Sequence, residues 1–407
     1  GGSLPVGRFA AKALVQLGHL VEVFEAPDFY DSYQALKNLK VSTDRLEYLE
    51  NSYLQVVSQA ILAKVESFAP DLVLCMAQAP MTRQALKRLR KDGVVTAMWF
   101  MEDFRLFTYW RGFAPYYDFF AVIQQDAFPD QLQALGVENV LYLPMAAEPS
   151  LHCPQELTSV EKHRYGSDLS FMGAGYPNRR NAFCQLLHLD FKIWGSDWEN
   201  APYLDKLIQQ GGRRVSPEEA IKIYNASAIN LNLHSSIKRD ALVTDGDFVN
   251  PRTFEVAGCG AFQLVDRRER MPELFAEDEM ATFASMEELK ERIDYFLAHP
   301  EERQAYARRA RERVLAEHTY AHRMQSLLDF IRERKPDWPA SRALDGLPQD
   351  LPEAMRQDLE ALLAKLQLTP EVDFQDLMWS LRQQQGELSP VETSLLFLDE
   401  WRKQYGG

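Results

Sequence analysis

The 407-residue chain carries 46% hydrophobic and 26% charged residues and a formal charge of −14, which excludes global disorder and argues against electrostatic binding to nucleic acid or an anionic membrane. A single core rarely grows beyond about 250 to 300 residues, so the length predicts two domains and an appendage. The four cysteines are scattered without CxxC spacing and no apolar run reaches the roughly 18 residues of a membrane span, so neither a disulfide framework, a zinc site nor a spanning helix is expected, and a reducing cytoplasm fits.

Taken in chain order, residues 5–17 read as a helix and 20–24 as a strand, the second half of a βαβ unit whose first strand is missing. The opening Gly1-Gly2-Ser3 reads as a tag remnant or as the glycine turn after that strand. A long helix over 43–68 leads through Pro70 into an apolar strand at 71–77, and a basic helix at 82–91 leads into another at 94–100. Continuous apolar runs of this kind belong to parallel sheets covered on both faces. Glu102 and Asp103 follow at the carboxyl end, as a candidate acid/base pair or as a cap for the next segment. Strands at 117–123 and 140–143 complete a domain over 1–150, closed by Pro144.

Residues 147–167, with Pro149, Pro154 and mixed charges, interrupt both periodicities and read as a linker. A second βα domain is expected over 165–334. Its strand at 168–172 runs into Gly173-Ala174-Gly175, with Arg179 and Arg180 at the start of a helix. Backbone N–H groups, the helix dipole and two guanidinium forks can together hold a diphosphate, although a bare GxG is a weak signal. Ser216-Pro217-Glu218-Glu219 is a capping box with Pro at the first helical position. The strand at 228–234 alternates apolar with amide residues and ends on His234, read as a structural histidine or as a contact in the cleft.

After an Asp-rich loop at 240–250, the stretch 250–265 packs a short helix, a glycine turn and an apolar strand into sixteen residues. Pro251 suits a first helical turn, while Gly258 and Gly260 suit a helix end. Glu255 is the one carboxylate pointing out of this apolar unit, well placed for ligand hydroxyls at the carboxyl edge of a sheet or else a solvated helix residue. Asp247, eight residues earlier, could hold a second hydroxyl or close an Asx-type turn with Asp245 and Gly246. A strand near 281–283 and helices over 286–298 and 301–317 follow, the arginine run of the latter reading as a solvated face. Over 335–407 the strands stop; three helices, starting near Pro352, Thr369 and Ser389, form a tail that could cover the first domain or make a homodimer contact.

Three clusters resemble the GT-B glycosyltransferases, and within them the group called CgeB-like or spore-maturation-protein-like. They are the run Arg252-Thr253-Phe254-Glu255-Val256-Ala257-Gly258-Cys259-Gly260, the run Met271-Pro272-Glu273-Leu274-Phe275, and Glu317-His318-Thr319-Tyr320 with Arg323. The resemblance covers most of 168–330; the first domain matches through Trp99-Phe100-Met101-Glu102-Asp103, Tyr117-Asp118 and Leu143-Pro144-Met145-Ala146. It implies an α/β protein of GT-B architecture: two Rossmann-like domains facing a cleft, the second binding a nucleoside-diphosphate sugar and the first a protein or glycan acceptor, with no metal and no cofactor.

Carried onto this chain, Glu255 matches the family carboxylate that holds the ribose, and Arg179 and Arg180 fall where relatives neutralise the diphosphate. Asp247 falls where many retaining relatives have an acidic residue on the transferred sugar, with Asp where Glu is usual. The expected catalytic set is therefore Asp247, Arg179, Arg180 and Asp103, and the nucleotide-binding set is Glu255, Arg252, Gly173, Gly175 and His234. Under retention the departing phosphate takes the acceptor proton; under inversion Glu102, Asp103 or His19 would be the base. Two rival functions are a sugar-nucleotide epimerase of the same fold and a non-catalytic sugar-nucleotide-binding scaffold.

Overall fold

The computed structural model describes residues 5–236, 246–339, 352–369, 372, 374–384 and 386–405. Its two sheets are wholly parallel. The first has strand order β1-β2-β3-β4, with β1 at Leu72–Met76, β2 at Val95–Phe100, β3 at Phe119–Val122 and β4 at Val140–Tyr142. Every residue of β2 and β3 is buried, which is why these strands read as unbroken apolar runs.

The second sheet comprises β5 at Leu169–Met172, β6 at Phe191–Trp194, β7 at Ile229–Asn232, β8 at Gln263–Asp266 and β9 at Ala281–Phe283, in the order β6-β5-β7-β8-β9. From β5 the chain turns first to β6 on one side, then crosses to β7 on the other. Such a reversal leaves a crevice at the carboxyl ends of β5 and β7, where ligands bind in open α/β sheets. Both layers thus have the expected α/β architecture.

One predicted strand does not form. Residues 20–24 have no ladder partner among the described residues, and together with β1 they line a cavity of about 1440 Å³. An extended segment becomes a strand only through hydrogen bonds to a neighbour.

The two layers are joined by two passages of chain that are stitched to each other. Ala147 N–H donates to His318 O at 2.9 Å and Tyr320 N–H to Ala147 O at 3.1 Å. Arg323, buried, donates to Pro144 O (2.8 Å), Met145 O (3.0 Å) and Glu317 O (3.1 Å). The helix Tyr320–Arg334 then returns to the first layer, where Tyr320, Met324, Leu327 and Ile331 share a core with Val6, Ala10 and Trp99. Residues assigned by sequence to the second domain thus complete the core of the first.

In the tail, helices Glu353–Leu366, Phe374–Arg382 and Pro390–Tyr405 enclose Leu362, Leu363, Leu377, Met378 and Leu381. Trp379 meets Phe68 edge-on, with ring centroids 5.4 Å apart, so the tail packs on the first half.

Candidate functional site

Asn250 starts the helix Pro251–Gly258 by accepting from Thr253 N–H at 3.2 Å, and Pro251 fills the first turn where no N–H is needed. At the other end a Cβ on Gly258 would sit 3.1 Å from both Ala147 Cβ and His152 O, so the helix closes tightly on the linker between the layers and a larger residue would have to push it back by a few tenths of an ångström. Glu255 lies on the buried side, 8% exposed, and is not a solvated helix residue. Its Oε2 is 2.5 Å from Arg252 Nη1 and 3.4 Å from the Tyr224 hydroxyl. Burial opposes its ionisation, but Arg252, His152 and Tyr224 outweigh burial and its pKa falls below the usual carboxylate value. The crevice therefore holds an anion with Arg252 beside it.

Arg179, packed against Gly173, reaches the loop that carries His234 at the carboxyl ends of β5 and β7, while Gly175 and Arg180 face Asp197 in the loop after β6. A Cβ on Gly175 would run into the Asp197 carbonyl and come within 2.9 Å of Trp198, so this glycine is required by loop packing. Arg179 is buried, stacked 5.0 Å from Phe171 and 5.3 Å from Tyr176, and donates to Leu233 O and Ala174 O at 2.9 Å each. It braces the β5 loop against the β7 loop. Burial lowers its pKa to about 10, which leaves it a cation at neutral pH. Arg180 donates to Asp197 O at 2.7 Å, while its Nε–H, like that of Arg252, is buried with no hydrogen-bond partner. Two unmatched guanidinium donors are costly without an anion to receive them.

Both nitrogens of His234 are engaged. Nε2 accepts from Asn250 N–H at 2.9 Å, so the proton sits on Nδ1 and donates to Asp266 Oδ1 at 2.6 Å. Burial lowers the pKa of this imidazole despite Asp266, and His234 is 1% exposed. It orients the 246–250 segment and offers no free nitrogen to a ligand. An amide network continues beneath it: Asn250 Nδ2 donates to Asn232 Oδ1 (2.7 Å), Asn232 Nδ2 to Thr253 Oγ1 (3.1 Å), and Gln263 Nε2 to Thr253 O (2.8 Å).

Asp247 points elsewhere. Its carboxylate is 2% exposed and accepts from Gln125 N–H, from Asp126 N–H at 2.8 Å and from Gln124 Nε2 at 3.4 Å, all in the loop after β3 of the other half. Asp245, its suggested partner in an Asx-type turn, lies outside the described residues.

At the edge of the first sheet, Asp103 Oδ1 accepts from Arg105 N–H (2.8 Å) and Leu106 N–H (3.4 Å), the capping alternative for that residue. Its neighbour Glu102 accepts from the Tyr109 hydroxyl at 2.7 Å and from Gln78 Nε2, stays half-buried, and keeps lone pairs for a ligand. His19 is far from this edge: the charges that act on its ring are Arg332 and Asp71, at the amino end of β1. Sequence reasoning missed Tyr109, Gln78, Asp266, Asn250 and the 124–126 loop; only Asn250 had a local signal, as an N-cap residue before proline. Among the described residues no group of three or more His, Cys, Asp or Glu could hold a metal ion, and no helix is long and apolar enough to cross a membrane.

A family profile described as "Glycosyl transferase-like" matches residues 179–329. Spore protein CgeB of Bacillus subtilis (strain 168) is 30% identical over 269 residues, covering 60% of this chain and 78% of that protein. Among solved structures, a glycosyltransferase from Rickettsia africae superposes with a TM-score of 0.52 at 12% identity, covering 81% of this chain and 93% of that one. The N-terminal domain of trehalose-6-phosphate phosphatase from Candida albicans gives 0.50 at 11% identity, covering 77% and 83%. At such identities these two structures speak for the fold alone. With the crevice at the β5/β7 reversal, the buried Glu255 and the CgeB relative together, the chain belongs to the CgeB-like family of GT-B glycosyltransferases.

Proposed function

We propose that the protein moves a sugar from a nucleoside-diphosphate sugar to a protein or glycan acceptor, with retention of configuration and without a metal. The observation that carries this reading is the buried, ionised Glu255 paired with Arg252, a guanidinium whose Nε–H donor has no partner. Glu255 receives the ribose hydroxyls. Arg180 and Arg252, with the amino end of the helix Pro251–Gly258, receive the diphosphate.

Transfer breaks the bond between the anomeric carbon and the phosphate oxygen, and the electron pair stays on the diphosphate. Fixed cations in a site shielded from water stabilise that charge as it develops. Under retention the departing phosphate oxygen takes the proton from the acceptor hydroxyl, so no protein base is required. Glu102, steadied by Tyr109 and Gln78, orients that hydroxyl. Arg179 and His234 hold the loops in place, and Asp103 shapes the rim that carries Glu102. Four free cysteines support a reducing cytoplasm as the location.

The test is a thermal-shift comparison with UDP, GDP, dTDP and ADP. A nucleotide at a hundredfold excess over its Kd adds about 2.7 kcal/mol to stability, so one of the four raises Tm, and Glu255→Ala abolishes the rise. No shift with any of them ends the donor-site reading.

A further inference from the structure

Asp247 falls where relatives have a residue on the transferred sugar, yet its surroundings describe a different task. A carboxylate has about four lone-pair sites. Three donors from the opposite half already occupy this one, and the side chain is 2% exposed. Two of those donors are successive backbone N–H groups, Gln125 and Asp126, on the turn after β3, where Ala127 adopts φ 57°. Charge-assisted bonds to buried N–H groups are among the stronger hydrogen bonds in proteins.

The contact joins two constructions. On the first half, Asp126 pairs with Arg105 at 2.6 Å, and Arg105 N–H is capped by Asp103, so the loops after β2 and β3 form one rim. On the second half, the 246–250 segment is held by Arg268 Nε to Phe248 O (2.8 Å) and by Asn250 N–H to His234 Nε2 (2.9 Å), and it runs straight into the helix bearing Arg252 and Glu255. Only four residues separate Asp247 from Arg252.

We propose that Asp247 is a positioning residue that fastens the rim of the acceptor half to the nucleotide-bearing helix and so sets the spacing of acceptor and donor, instead of touching the sugar. The proposal rests on the donor-site reading above for its catalytic consequence, but the contact itself does not. Breaking it lets the halves separate while the nucleotide pocket, built from the second half, stays intact.

Small-angle scattering on the full chain tests this. Asp247→Asn and Asp247→Ala, each checked for a cooperative melt, increase the radius of gyration over wild type. Asp126→Ala, which breaks the pair with Arg105 but keeps the N–H donors to Asp247, leaves it unchanged. If Asp247→Ala fails to fold, Asp247→Asn, which retains one oxygen for Asp126 N–H, carries the comparison. The Asp247→Asn variant binds the free nucleotide found by thermal shift within about twofold of wild type, and its turnover of the matching sugar nucleotide falls about tenfold. An unchanged radius in the folded Asp247→Asn variant overturns the proposal, whatever its turnover. If wild type binds none of the four nucleotides, the donor reading fails and the scattering result still decides the role of Asp247.

Discussion

The carboxyl edges of the two sheets are built differently. Behind β7 and β8 the uncharged polar side chains that shape the crevice are buried and held by one another, Asn250 by Asn232 and Asn232 by Thr253, while His234 is held by Asp266. Behind β2 the polar groups are half-exposed, and Glu102 is steadied by one tyrosine and one glutamine. A site that must receive one fixed piece, a nucleotide, gains from a rigid frame that needs no rearrangement on binding. One that meets a larger and more variable partner keeps its donors and acceptors open to solvent.

Three measurements sharpen or break that contrast. The largest effect is expected where the frame is densest. Asp266→Ala leaves the ring N–H and the backbone N–H of His234 without their acceptor in a buried site and should cost about 3 to 5 kcal/mol in urea unfolding; a loss below about 1 kcal/mol would mean that the second edge is no more rigid than the first.

Next comes the junction between the halves. His318 Nε2–H donates to Leu274 O at 2.8 Å, and its Nδ1 accepts from Arg323 at 2.9 Å. Burial, followed by the charge of Arg323, pushes its pKa down to about 4 from an ordinary 6.5. With the folded value below the unfolded one, the unfolded chain binds the extra proton, so stability is full above pH 6.5 and is lost as the pH falls towards 4. The loss is up to about 3 kcal/mol. His152 and His234 are shifted in the same direction by burial and add to it. In His318→Gln the acid limb of the stability curve should become shallower; an unchanged limb would remove His318 from it.

The smallest stability effect is expected at the open edge. Glu102→Gln keeps the shape and most hydrogen bonding, so unfolding should change by less than about 1 kcal/mol, while sugar-nucleotide turnover with acceptor falls. A large stability loss would make Glu102 a structural group like those of the second edge.

The difference between the edges also decided what the sequence could reveal. Val95–Phe100 is legible as a strand because burial on both faces demands an unbroken apolar run. Glu255 stands out because a lone carboxylate sits in a largely apolar unit framed by Pro251 and Gly258. Residues 20–24 show equally good strand composition, but pairing belongs to a neighbour and is not written in the segment. The partners of Asp247 are 121 to 123 residues away, and two of them are backbone N–H groups, which every residue but proline carries. No residue-type pattern announces them. Asp266 had the same invisibility: it looks like the polar end of a strand until His234 arrives from 32 residues upstream.

The stitched crossing at 144–148 and 317–320 has a mechanical meaning. Two chain passages bonded side by side leave little room for the layers to slide and favour rotation about the seam, with Arg323 as its rivet. The three bonds to Asp247 then act as a latch, holding the angle that the seam alone leaves free.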